Sequence, residues 1–227
     1  MIKQIALFLA GGILSTAASA VPVLQLGPDT ATGGTYDASS QTWLFDATSS
    51  SFSFDAYNLN GGTAYLVFAA VPELTADVFD ISVSDDSGVI SLFDSGYGTP
   101  PFEDPNSLAP HGIYDTWSEI YEINFDGPLV TVFDTQPGET GSAAGYSENI
   151  LVNILGADAN LTGLHIDLFT TDWDATNTKK IVTDFAPFSH DAQVQNVQVV
   201  PVPAAMWLFG SGLIGLAGFA RKRTSKV

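Results

Sequence analysis

No cysteine occurs anywhere in the 227 residues. The chain therefore has no disulfide, no thiol nucleophile and no cysteine-based zinc site. Cations are scarce as well: 7 lysines and arginines stand against 25 aspartates and glutamates, a formal net charge of −18 at pH 7. All 25 carboxylates fall between Val21 and Val200, where only Lys179 and Lys180 offset them. A surface without a basic patch cannot neutralise phosphates, which excludes a nucleic-acid binder. It attracts divalent cations; the simpler reading of the same charge is a solvating coat. There are three histidines, His111, His165 and His190, and no pair has H-x-x-x-H or H-x-H spacing. The G-x-S-x-G, H-E-x-x-H and P-loop patterns are missing too, so the sequence points to no enzyme.

The two ends carry the clearest signals. Lys3, the apolar run Ile5 to Leu14 and the small-residue site Ala18-Ser19-Ala20 read as a signal peptide over residues 1–20, with Val21 opening the mature chain. Near the other end, Ala204 to Ala220 contains no ionisable side chain. As a helix it spans roughly 25 Å, and with snorkelling flanks it crosses a ~30 Å hydrocarbon core. The basic residues 221–227, led by Arg221, Lys222 and Arg223, should stay cytoplasmic and place everything before Pro201 outside. Residues 21–200 then form the extracellular body, and 201–227 the tail.

The tail reads Pro201-Val202-Pro203, then Ala204-Ala205-Met206-Trp207-Leu208-Phe209-Gly210-Ser211-Gly212-Leu213, then further glycines and Arg221-Lys222-Arg223. This resembles a PEP-CTERM sorting signal, with valine where the name-giving motif has glutamate. The resemblance implies an exported protein of a Gram-negative bacterium that makes extracellular polysaccharide. It implies a transient hold in the inner membrane, then recognition and cleavage by an exosortase. The competing reading is a plain anchor that is never cut.

Between the ends, short β-branched and aromatic stretches alternate with Gly, Pro, Asn, Asp and Ser, without helical periodicity or a repeat. Residues 51–57 alternate strictly, and Asn60-Gly61-Gly62 suits a hairpin turn. Residues 64–71 form a continuous apolar strand, as one covered on both faces would be, ended by Pro72. Asp85-Asp86-Ser87-Gly88 is a second turn, with residues 89–93 returning from it, and residues 95–110 and 137–145 read as loops. Strands at 77–84, 119–125, 129–133, 150–155, 164–170, 180–185 and 194–200 bring the candidates to about eleven. The expected fold is all-β: an antiparallel β-sandwich of jelly-roll type. Pro110-His111-Gly112-Ile113-Tyr114, Leu164 to Phe169 and Phe185 to Ala192 resemble the choice-of-anchor N group of exported proteins over residues 24–195. That group implies a location and a domain extent, and no reaction.

Three constellations are candidates for chemistry. His111, His190 and Asp191 have the imidazole and carboxylate donors that would suit one metal ion; turn histidines also cap backbone or pack on aromatics. Asp172, Asp174 and Asn177 resemble the start of a Ca²⁺ loop, although they are ordinary turn residues too. Trp117 and Trp173, with Trp43, suit either a sugar-stacking platform or the core. The sequence thus predicts an exported, non-enzymatic protein with a structural or adhesive role beside extracellular polysaccharide. A carbohydrate-binding module and a Ca²⁺-dependent adhesion domain are the alternatives.

Overall fold

The computed structural model describes residues 20–47, 49–100, 115–174 and 179–197. In chain order the strands are β1 (Leu24–Pro28), β2 (Thr35–Asp37), β3 (Thr42–Asp46), β4 (Ser51–Asn58) and β5 (Gly62–Val71). There follow β6 (Phe79–Asp85), β7 (Gly88–Ile90), β8 (Leu92–Gly98), β9 (Thr116–Phe125) and β10 (Val130–Phe133). The last are β11 (Ser142–Ala157), β12 (Gly163–Asp174), β13 (Lys179–Phe185), a 3-10 turn at Phe188–His190, and β14 (Ala192–Gln195). No α-helix occurs among the described residues. The signal peptide and the tail, including the helix expected over 204–220, lie outside them.

Two sheets result. The first runs β1-β4-β11-β6-β7, with β10 also on β11; the second runs β2-β3-β14-β12-β5-β9-β8, with β13 also on β12. All pairings are antiparallel except β14 with β3, which is parallel. That pairing corrects the purely antiparallel expectation. One core fills the space between the sheets, where Phe45, Phe52 and Phe54 stack with centroids 5.7–6.4 Å apart. Each such side chain contributes about 2–3 kcal/mol by leaving water. Trp43 belongs to this core at 8% exposure. As its apolar run predicted, β5 is central and covered on both faces: Leu66, Phe68 and Ala70 point into the main core, Val67 and Ala69 into a second cluster with Ile120 and Phe169.

Three local readings need correction. Asn60-Gly61-Gly62 does turn with positive φ at both glycines (68° and 81°), but β4 and β5 lie in different sheets. The turn is an arch between layers rather than a hairpin. A Cβ on Gly61 would come within 2.6 Å of the Tyr146 ring, so the arch requires glycine there. The Asp85–Gly88 turn is a true hairpin, with the Asp85 carboxylate accepting from the N–H groups of Ser87 and Gly88. Its return is short, since the chain leaves after Ile90 to become β8 in the second sheet, and residues 95–98 are strand rather than loop. Residues 142–145, the end of the loop read over 137–145 from its glycines and proline, are strand paired with β10. Small side chains suit that position, because a Cβ on Gly145 would crowd Leu59 at 2.8 Å.

Candidate functional site

The 3-10 turn builds the most connected polar group that the sequence had singled out. Ala186 N–H bonds to Leu168 C=O and His190 N–H to Pro187 C=O, which docks the turn against the second sheet. His190 Nε2 then lies 2.8 Å from Asp134 Oδ1, and its Nδ1 lies 2.7 Å from Ser189 Oγ. These partners assign the tautomer: Nε2–H donates to the carboxylate and Nδ1 accepts from the hydroxyl. Asp134 is held in turn by Gln136 N–H at 2.9 Å. Hydroxyl, imidazole and carboxylate are the parts of a nucleophile relay, yet His190 is only 3% exposed. A ring so enclosed cannot meet a substrate while the turn is docked. The arrangement acts as a clasp between the turn and the loop after β10.

The sequence had offered His190 and Asp191 to one ion; the structure gives them different partners. The Asp191 carboxylate takes a hydrogen bond from Thr42 and lies 3.8 Å from His165 Nε2. Burial pushes it up to about 7. Asp167, on the neighbouring strand β12, is fully buried and held well above the usual carboxylate range, by burial first and by Asp191 second. The Tyr36 phenol is raised by burial and then by the charges of Asp191 and Asp134. Among the described residues, no three His, Asp or Glu side chains are placed to hold a metal ion. His111 and Asn177 lie outside those residues. Asp172 and Asp174 sit not in a loop but on β12, opposite Ile181 and Lys179 of β13. Trp173 stands between them, opposite Lys180. Trp117 is partly buried and packs against the core, with its indole N–H enclosed.

Two further polar sites were not anticipated. The first is the loop after β1. Asp29 Oδ1 accepts from the N–H groups of Ala31, Thr32 and Gly33 at 3.0, 2.6 and 3.3 Å and from Thr32 Oγ1 at 2.8 Å. Its Oδ2 accepts from Ser53 Oγ and, at 3.4 Å, from Asn149 Nδ2. Burial raises its pKa, but the bonds from Ser53, Thr32 and Asn149 outweigh burial and hold the carboxyl well below its ordinary range. The second lies on β9, where burial pushes Glu119 up to about 7 although Tyr121 donates to it at 2.6 Å. The Tyr121 hydroxyl is also 3.3 Å from Ile81 C=O in the opposite sheet. A cleft of about 300 Å³ between β7 and β9 is lined by Asp85, Glu122, Asp126 and Glu148. Glu148 is raised there by burial and then by Asp85, Asp86 and Asp126.

Residues 199–223 match the PEP-CTERM protein-sorting motif. No curated protein matches the chain. Among solved structures it is similar to that described as "AvmM Catalyzes Macrocyclization in Alchivemycin A Biosynthesis", at 11% identity and a TM-score of 0.35, covering 79% of this chain and 91% of the other. That likeness is too slight to carry fold or chemistry across. The matched motif indicates an exported protein sorted by an exosortase, and the described body has two sheets. No helix among the described residues is long and apolar enough to cross a membrane; the expected anchor at 204–220 is outside them.

Proposed function

We propose that the chain is a non-catalytic, acidic β-sandwich of jelly-roll type. On this reading the exosortase releases it from the inner membrane to the cell surface or matrix. Its role there is structural or adhesive, beside extracellular polysaccharide. The single observation that carries this reading is the sorting motif at residues 199–223. The body supports it in one respect. Three of the carboxyls that burial raises, Glu119, Asp167 and Asp191, are buried at 7% exposure or less, which suits a scaffold better than an acid–base centre open to substrate.

The test is production of the full chain, tagged within the body, in hosts with and without an exosortase. The mature species should lose the mass of the tail only where the enzyme is present. A product that keeps its tail in the competent host would overturn the sorting. Retention in the polysaccharide fraction of that host, lost on washing with excess free polysaccharide, is the expected sign of the adhesive role.

A carbohydrate-binding reading is favoured by one specific observation. Phe93 (42% exposed) and Tyr97 (46%) stand out on β8, with the Phe93 ring packed on Tyr65 at 5.0 Å. On that reading Phe93→Ala abolishes glycan binding while Trp117→Ala acts only through stability.

A further inference from the structure

The last described strand sits between two others. β14 pairs in parallel with β3, from Ala192 opposite Trp43 to Gln195 opposite Asp46, and antiparallel with β12, from Ala192 opposite Ile166 to Gln195 opposite Gly163. Ala192 and Val194 are fully buried. The approach to β12 is so close that a Cβ on Gly163 would meet Val194 C=O at 2.4 Å. Beyond the strand, Gln195 C=O still accepts from Ala47 N–H at 3.1 Å. Asn196 takes a left-handed φ of 58° and reaches Asp46 at 3.4 Å. Val197 is again core, at 8% exposure. The sorting motif starts at residue 199, so one residue, Gln198, separates the packed body from the motif.

Peptidases commonly bind their substrate as an extended strand, using backbone N–H and C=O groups that are otherwise free. From Ala192 to Gln195 those groups are engaged on both edges of β14, and Val197 beyond it is held in the core. An enzyme acting on the motif can therefore gain backbone upstream of Asn196 only by peeling the end of β14 from β3 and β12. Such peeling is a local unfolding step with its own free-energy cost. We infer that exosortase processing of this chain is gated by opening of the C-terminal end of β14. The inference rests on the sorting reading above and adds its regulation: the fold of the body sets how fast the tail is removed.

The test uses the full chain in an exosortase-competent host, with tail loss followed by pulse-chase. A six-residue Gly/Ser spacer between Val197 and Gln198 leaves residues 199–223 intact and supplies free backbone. It should speed processing about tenfold or more, the factor expected where opening costs ~1.4 kcal/mol. The same spacer placed in the exposed turn after Asp158 should leave the rate unchanged. Val194→Ala, which loosens β14 without lengthening the connection, should speed processing in the same direction as the tail-proximal spacer. Equal rates for parent and tail-proximal spacer would overturn gating while leaving sorting intact. Failure of both to be processed would overturn sorting and gating together.

Discussion

Asp29 and the group formed by Glu119, Asp167 and Asp191 bury the same chemical function with opposite results. Asp29 meets three backbone N–H groups, two hydroxyls and an amide, and its charge is held below the ordinary pKa. Glu119 and Asp191 each meet one principal donor, Tyr121 and Thr42, and burial wins. Solvent exposure is alike, 6% for Asp29 and 7% for Glu119, but Asp29 lies nearer the protein surface and Glu119 and Asp191 deeper. Shallower burial and more donors aimed at the carboxylate act together to keep Asp29 charged. In a body with so few cations, backbone N–H groups and hydroxyls do what arginine and lysine do elsewhere.

The comparison is most easily broken at Asp29. Asp29→Ala leaves several inward-facing donors without an acceptor and should cost about 3 kcal/mol in denaturant unfolding. A loss below ~1 kcal/mol would mean that the donors find water and that the network is incidental. The next effect is one of pH, and its sign differs between the two groups. Glu119 and Asp191 have folded values near 7, above their ordinary 4.5 and 3.8. Their contribution is complete below those ordinary values and is lost as pH rises through 7. Asp29, being lowered, contributes above its ordinary value and is lost only as pH falls below it. The melting temperature should therefore fall between pH 5 and pH 8. Glu119→Gln and Asp191→Asn should flatten that slope and each recover on the order of 2 kcal/mol at pH 8.

A smaller effect is expected at the clasp. His190→Ala strands the buried Asp134 carboxylate and should cost about 2 kcal/mol, whereas Ser189→Ala, at a half-buried hydroxyl, should cost under ~1 kcal/mol. Equal losses would make the serine as integral as the ring. Leu155→Ser, at 57% exposure, is the baseline and should stay within ~0.5 kcal/mol of the parent.

Much of the layer structure was legible because period-two alternation records burial directly. Phe52, Phe54 and Ala56 do share an inward face, and the unbroken apolar run of β5 does mark a strand covered on both sides. What alternation cannot record is the identity of the neighbouring strand, so a glycine turn that suits a hairpin became an arch between sheets. The short strands β2 and β3 escaped notice because Tyr36, Trp43 and Phe45 stand among Gly, Asp and Ser of turn-like composition. The polar sites were hidden for a related reason. Turn chemistry at Asp29 is visible locally, but its partners Ser53 and Asn149 lie 24 and 120 positions away. His190 attracted attention as an imidazole near an acid; its acid is Asp134, 56 positions back, rather than the adjacent Asp191.

The placement of β14 also has a kinetic side. The strand between β3 and β12 is nearly the last of the body, so the second sheet stays divided until residues 192–195 arrive. Pairings of such long sequence separation form slowly. Until then β2-β3 and β12-β5-β9-β8 are separate parts, which join only when the final strand drops into the gap. The tail follows that strand almost at once, so completion of the body and delivery of the sorting signal become nearly a single event in time.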